Sequence, residues 1–250
     1  MDLFVGRTIG RHVEVGHSEC MTKLALELDR RGIESTRSHV KGDALVSRSR
    51  SILASAFLRS ECDVLLSIDG DIEFEADDAI RLAQECADGK LVAGAMYMTR
   101  ALNTQPALML PEGWVDFSPG SEPVEVPFLS TGFMAVHRTV FANLTKDLPL
   151  CHQNWGASSF WPFYMPFTIP WEGDGYMYLS EDWAFCERAK QHGYSLWLDP
   201  SIRLGHVGEY RYTLEDLFVE HPPTQPIRLM REPDGTLHKE LAIPAGISQS

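Results

Sequence analysis

One short run sets the first limit on what this chain can fold into. Asp63-Val64-Leu65-Leu66-Ser67-Ile68 shows no polar alternation. A strand of that kind is covered on both faces, as in a parallel sheet packed between helices. The run empties into Asp69-Gly70-Asp71. Ligands of open α/β sheets bind at the carboxyl ends of strands, so two carboxylates one glycine apart stand where chemistry is expected. Like charges this close repel unless a cation lies between or beside them. A hard divalent ion such as Mg2+ or Mn2+, bound through oxygen and shared with a substrate phosphate, answers that need. The triplet also suits an ordinary strand-end turn with solvated aspartates, and its neighbours decide between the two.

Around this strand the first hundred residues alternate in type. Leu3-Phe4-Val5-Gly6 forms a first strand, and Ser18 caps a helix that buries Met21, Leu24, Ala25 and Leu28 before Gly32 stops it. A strand over residues 33–40 and a helix over 44–59 lead to the Asp69 strand. Asp77 and Asp78 open a further helix, where carboxylates favour the positive end of the dipole, and residues 91–95 make the next strand. Strand and helix in this order specify a mostly parallel sheet with right-handed crossovers. After Arg100, residues 103–127 are irregular or hairpin-like, and Phe128 to Val136 resumes a strand. Residues 151–180 are expected as a long loop carrying Trp155, Trp161, Phe163, Tyr164, Trp171, Tyr176 and Tyr178, too aromatic for disorder. Within it Trp171-Glu172-Gly173-Asp174-Gly175 has the glycines of a mobile segment. A helix from Ser180 or Glu181 to His192 follows, and residues 220–250 form an extended tail suited to covering the body or serving a homo-oligomer.

The formal charge of -13 excludes a broad nucleic-acid footprint and disfavours docking to anionic lipid. No stretch has the apolar length of an integral membrane segment, and Met1-Asp2-Leu3 does not open a secretory signal. The five cysteines are scattered and never spaced as Cys-x-x-Cys, which supports neither zinc nor a disulfide framework. A cytoplasmic, reducing setting is the expectation.

Four segments occur in an informative order: Val46-Ser47-Arg48-Ser49-Arg50, Asp69-Gly70-Asp71, Ser130-Thr131-Gly132-Phe133-Met134, and Ser180-Glu181-Asp182-Trp183 followed by His206-Val207-Gly208. Together they resemble the GT-A-fold nucleotide-sugar glycosyltransferases with an Asp-x-Asp motif, of the family 2 kind, over residues 3–210. The resemblance implies an α/β fold: a mostly parallel central sheet flanked by helices, a smaller mixed acceptor-side sheet, and a C-terminal extension. It implies one domain over residues 1–219, with a nucleotide-sugar-binding half (1–100) and an acceptor-side half (101–219).

The resemblance also assigns roles. Asp71 and His206 would be ligands of Mn2+ or Mg2+, with Asp69 on the ribose or on the metal's water shell. Asp182 would take the acceptor hydroxyl proton, with Glu181 orienting it. Arg48, Thr8, Arg7 and Gly132 would contact the donor, a UDP- or GDP-sugar, and the acceptor would be a glycan or small molecule bearing a hydroxyl. Other readings are a lone hydrogen-bonded histidine for His206, helix capping for Asp182, and a solvated helix side for Arg50. Two other functions stay open. The haloacid dehalogenase phosphatases also place Asp-x-Asp after a buried strand, although Glu73 stands where they carry Thr or Val. The remaining alternative is a non-catalytic relative that binds nucleotide or glycan.

Overall fold

The computed structural model describes residues 1–10, 12–100, 104–171, 173–208, 210–217 and 227–241. Strand and helix alternate at first: β1 (Leu3–Ile9), α1 (Val15–Arg30), β2 (Ser35–Lys41), α2 (Val46–Arg59) and β3 (Val64–Asp69). A two-residue strand, β4 (Ile72–Glu73), precedes α3 (Ala76–Ala87) and β5 (Val92–Gly94). Then come β6 (Gly113–Asp116), β7 (Val124–Glu125), β8 (Phe133–His137) and α4 (Arg138–Leu144). Four short strands, β9 (Cys151–Gln153), β10 (Ser158–Phe160), β11 (Phe167–Pro170) and β12 (Tyr176–Leu179), lead into α5 (Glu181–Gln191). The last elements are β13 (Trp197–Leu198), β14 (Gly205–Val207), β15 (Arg211–Tyr212), β16 (Ile227–Arg231) and β17 (Leu237–Leu241).

Seven strands build the central sheet in the order β2-β1-β3-β8-β5-β13-β7. Five of them run one way, while β8 and β7 run against their neighbours. Side chains alternate across the sheet, as the pleat requires. Leu3 and Val5 of β1 and Val64, Leu66 and Ile68 of β3 pack with Leu24 and Leu28 of α1 and Leu82 of α3. Phe4 and Leu65 face the other way, into a core with Phe57 of α2, Phe141 of α4 and Phe185 of α5. Each of these large buried side chains contributes roughly 1.5–3 kcal/mol, which is why apolar residues fill β3 except at Ser67 and its end. The result is a mixed α/β architecture: a mostly parallel sheet between helical layers. The smaller pairing outside it takes the form of short antiparallel sheets, among them β15-β14-β4.

Three expectations need revision. β1 continues past Gly6 to Ile9, because it pairs along its whole length with β2 and up to Asp69 with β3. α1 starts at Val15, so Ser18 lies inside its first turn and does not cap it. Residues 151–180 are largely hairpins, with β9 on β10 and β11 on β12. In the second hairpin Phe167, Ile169, Met177 and Leu179 turn inward, and Thr168, Pro170, Tyr176 and Tyr178 face solvent. Gly173 and Gly175, with φ of 90° and 106°, make the turn between them; Glu172 lies outside the described residues. Within the expected tail, β16 and β17 pair, and Ile227 and Leu229 are buried in the α2-side core. Residues 218–226 and 242–250 lie outside the described residues. No helix among the described residues is long and apolar enough to cross a membrane.

Candidate active site

The carboxyl ends of β1 and β3 open into a cleft of about 380 Å³, lined by Thr8, Asp43, Ser49, Asp69, Asp71 and Arg100 among others. Parity determines who meets in it. Thr8 and Asp69 are paired across β1 and β3, and both belong to the register that faces α2. The Thr8 hydroxyl donates to Asp69 Oδ1. Arg50, on α2, donates from Nη2 to Asp69 Oδ2 at 2.7 Å and from Nη1 to Glu181 Oε1 at 2.7 Å. Its side chain is 8% exposed. Burial works against the charge, yet Asp69 first, and Tyr97, Glu181 and Asp182 after it, push the guanidinium above its ordinary value. One buried arginine thus ties the strand-end aspartate to the first turn of α5, 131 residues from it in sequence.

Asp71 lies beyond the strand and faces a different set of partners. β14 pairs with β4 so that His206 sits opposite Ile72, and Val207 N donates to the Asp71 carbonyl at 2.8 Å. This register brings His206 Nε2 to 3.6 Å from Asp71 Oδ2. His206 Nδ1 is 2.7 Å from the Met98 carbonyl. That contact satisfies one ring nitrogen and aims Nε2 at Asp71, the orientation a metal-ligating histidine uses. Arg100 Nη1 stands 2.9 Å from the same Asp71 oxygen. Burial raises the Asp71 pKa, but the hydrogen bond and charge of His206 and the charge of Arg100 outweigh it, leaving the carboxyl below its ordinary value.

These contacts test whether a divalent ion fits. A carboxylate oxygen and an imidazole nitrogen converge, and a guanidinium already occupies the position of a cation beside them. That donor pair suits Mn2+ or Mg2+ completed by substrate phosphates and water. Thr8 and Arg50 each engage one oxygen of Asp69, so its remaining lone pairs are left for a metal or a hydroxyl. No group of three His, Cys, Asp or Glu side chains able to hold a metal occurs among the described residues.

Asp182 stands in the first turn of α5, where the helix dipole favours a carboxylate. Its Oδ1 accepts from the Ser180 hydroxyl and from Trp183 N at 2.8 Å. Both of these bonds fall on one oxygen. Tyr97 lies between the two halves of the site. Its ring meets the His206 edge at 5.0 Å between centroids. Burial above all, with the Asp69 charge, pushes its hydroxyl up, so it stays neutral. Gly132 is the residue that admits it: a Cβ there would lie 2.6 Å from the Tyr97 hydroxyl oxygen. The Gly132 carbonyl accepts from Asp69 N at 2.9 Å.

The expected residues therefore divide. Thr8, Asp69, Glu181 and Asp182 gather around Arg50, and Asp71 pairs with His206. Gly132 acts through Tyr97 and the Asp69 backbone, because its open side is filled by that ring. Arg48 is turned to the cleft rim, where Asp43 takes its Nε at 2.8 Å and Nη2 at 2.6 Å. Arg7 has the opposite strand parity to Thr8, shares its side with Leu3 and Val5, and acts electrostatically on His17 instead of facing the cleft. Arg50, expected on a solvated helix side, is buried. Its signal was present in the helical period, since Leu53 and Phe57, three and seven residues on, mark the inward face. Tyr97 and Arg100 carried no sequence signal of their own.

No protein-family model matches the sequence, and no curated protein matches it either. Among solved structures, the chain is similar over its whole length to the crystal structure of A197 from STIV. There the TM-score is 0.53 and the identity 15%, with 100% of this chain and 99% of that one covered. At that identity the likeness is one of fold. Looser similarity extends to GalNAc-T7 with UDP, GalNAc and Mn2+, at TM-score 0.45 and 14% identity over 85% of this chain and 44% of that one. It also extends to S. aureus TarS 1-349 in complex with UDP-GlcNAc, at TM-score 0.44 and 12% identity over 80% of this chain and 56% of that one. The matched region spans about half the length of those two chains.

Proposed function

We propose that this chain is a divalent-cation-dependent glycosyltransferase that moves a sugar from a nucleoside diphosphate donor, a UDP- or GDP-sugar, to a hydroxyl-bearing acceptor. The observation that carries this reading is the Arg50 bridge: one guanidinium meets the cleft-lining Asp69 and Glu181 of α5 at 2.7 Å each. Asp71 and His206 would hold Mn2+ or Mg2+, whose chemistry is Lewis-acid neutralisation of a departing diphosphate.

The chain's own groups do the rest. Thr8 and Arg50 fix Asp69, whose remaining lone pairs accept from donor hydroxyls. Asp182 Oδ2 accepts the proton of the acceptor hydroxyl as the glycosidic bond forms and the bond to the departing diphosphate breaks. Phosphatase chemistry of the haloacid dehalogenase kind needs Asp69 as a free nucleophile, which its engagement by Thr8 and Arg50 disfavours.

A thermal-shift panel of nucleoside diphosphate sugars, each with and without Mn2+, tests the reading. One donor should raise the melting temperature only with Mn2+ present, and Asp71→Ala should abolish both that shift and transfer. Metal-dependent turnover surviving in Asp71→Ala, or no shift with any donor, overturns it.

A further inference from the structure

Two side chains reach for the same oxygen. Arg100 Nη1 lies 2.9 Å from Asp71 Oδ2, and His206 Nε2 lies 3.6 Å from that atom. A divalent ion held by Asp71 and His206 would compete with the Arg100 guanidinium for that oxygen. Arg100 is also placed with some care. It follows Met98, which bridges to Pro106, and Thr99, whose N donates to the Gln105 carbonyl at 2.8 Å and whose carbonyl accepts from the Thr104 hydroxyl at 2.8 Å. Its stem passes over Gly208, where a Cβ would sit 3.0 Å from Arg100 Cδ. Nη1 further donates to the Val207 carbonyl at 3.1 Å. The side chain is still 45% exposed, so it has room to turn.

Two other described arginines near the cleft are committed elsewhere. Arg48 is held bidentate by Asp43, and Arg50 is buried between Asp69 and Glu181. Among the described cleft-lining residues, Arg100 is the arginine whose carboxylate a metal would claim. A guanidinium released beside a bound metal finds its natural partner in a phosphate, which matches its fork of donors.

Resting on the glycosyltransferase reading above, we infer that Arg100 is an exchangeable counter-cation. It neutralises Asp71 while no divalent ion is bound, and it turns to the donor's diphosphate when the ion takes Asp71. The exchange makes metal and diphosphate bind with mutual reinforcement, because each releases what the other needs.

Isothermal titration of the full chain with MnCl2 alone, then with UDP or GDP in the presence of Mn2+, tests this on the wild type, Arg100→Gln and Arg100→Lys. Arg100→Gln should bind Mn2+ alone about two- to five-fold more tightly, the range a half-exposed ion pair sets. It should bind the nucleoside diphosphate with Mn2+ about ten-fold more weakly, with Arg100→Lys between the two. A melting temperature close to wild type confirms that the variants fold, as a half-exposed side chain implies. Mn2+ affinity equal to or below wild type in Arg100→Gln, or unchanged diphosphate affinity, overturns the exchange while leaving the glycosyltransferase reading in place. A wild type that binds neither UDP nor GDP with Mn2+ overturns that reading instead, and the exchange with it.

Discussion

Removing the Arg50 guanidinium should reveal how much of the site's order depends on one side chain. Arg50→Met keeps most of the volume and deletes the charge, leaving Asp69 and Glu181 without the donor each meets at 2.7 Å. Breaking a buried ion pair from one side costs about 3–5 kcal/mol, because the abandoned partner stays charged and poorly solvated. Both carboxylates here are 22% exposed, so water offsets part of that loss. The lower end, about 3–4 kcal/mol, is therefore expected, a large share of the ~5–15 kcal/mol that holds a domain together. For a chain of this size it corresponds to a fall in melting temperature of roughly 6–15 °C.

Arg50→Lys can satisfy only one carboxylate at a time and should lose about 1–2 kcal/mol. Adding Asp69→Asn and Glu181→Gln to Arg50→Met removes the uncompensated charges and should recover part of the loss. Urea unfolding of the four proteins measures the series, with the denaturant slope checked for constancy. An Arg50→Met variant within ~1 kcal/mol of wild type would refute the reasoning, since the carboxylates would then not depend on that guanidinium.

Asp182→Asn should lower turnover by about a hundred- to ten-thousand-fold with donor affinity unchanged, as expected for loss of a general base; equal losses in donor binding, measured by titration, would contradict that role. Gly132→Ala drives a methyl group into Tyr97 and should destabilise the fold by about 1–3 kcal/mol in urea unfolding. Combined with Tyr97→Leu, the two losses should sum to less than their separate values. His17 is fully buried, and burial, with Arg7 adding to it, lowers its pKa despite the opposing pull of the Ile72 carbonyl, Asp71 and Asp69. The unfolded chain therefore takes up that proton first, so stability present above the ordinary imidazole value of 6.5 is lost as pH falls below it. His17→Gln should flatten the decline in melting temperature on acidification, with part of the slope surviving through His137, whose pKa burial also lowers.

What could be read in advance followed from period and burial. The apolar run before Asp69 has to be a covered strand, and the strand–helix alternation around it fixes most of the sheet. The hairpins of residues 151–180 escaped because each strand there is three or four residues long and Pro170 interrupts the run. The length of β1 escaped for a different reason. Nothing local in Gly6-Arg7-Thr8 marks an extended conformation; pairing with β2 and β3 on both sides imposes it. The consequence for the site is large, since one further pair of residues in register sends Thr8 toward the cleft and Arg7 away from it. Contacts such as Arg50 to Glu181 join residues 131 apart, and no spacing rule reaches that far.

The Asp-x-Asp triplet shows why such long-range partners matter. Two carboxylates one residue apart suggest a single cation shared between them, and the fold solves the repulsion differently. Asp69 ends a strand whose parity aims it at α2, where a buried arginine neutralises it permanently. Asp71 lies past Gly70, next to β14, where its counter-charges are an imidazole and a half-exposed arginine. A fixed partner makes the first carboxylate a rigid acceptor, and replaceable partners leave the second as the one to which the proposed function assigns a metal. The two halves of one motif thereby acquire different chemistry from identical side chains, through the neighbours that the sheet and the small β4–β14 pairing bring to each.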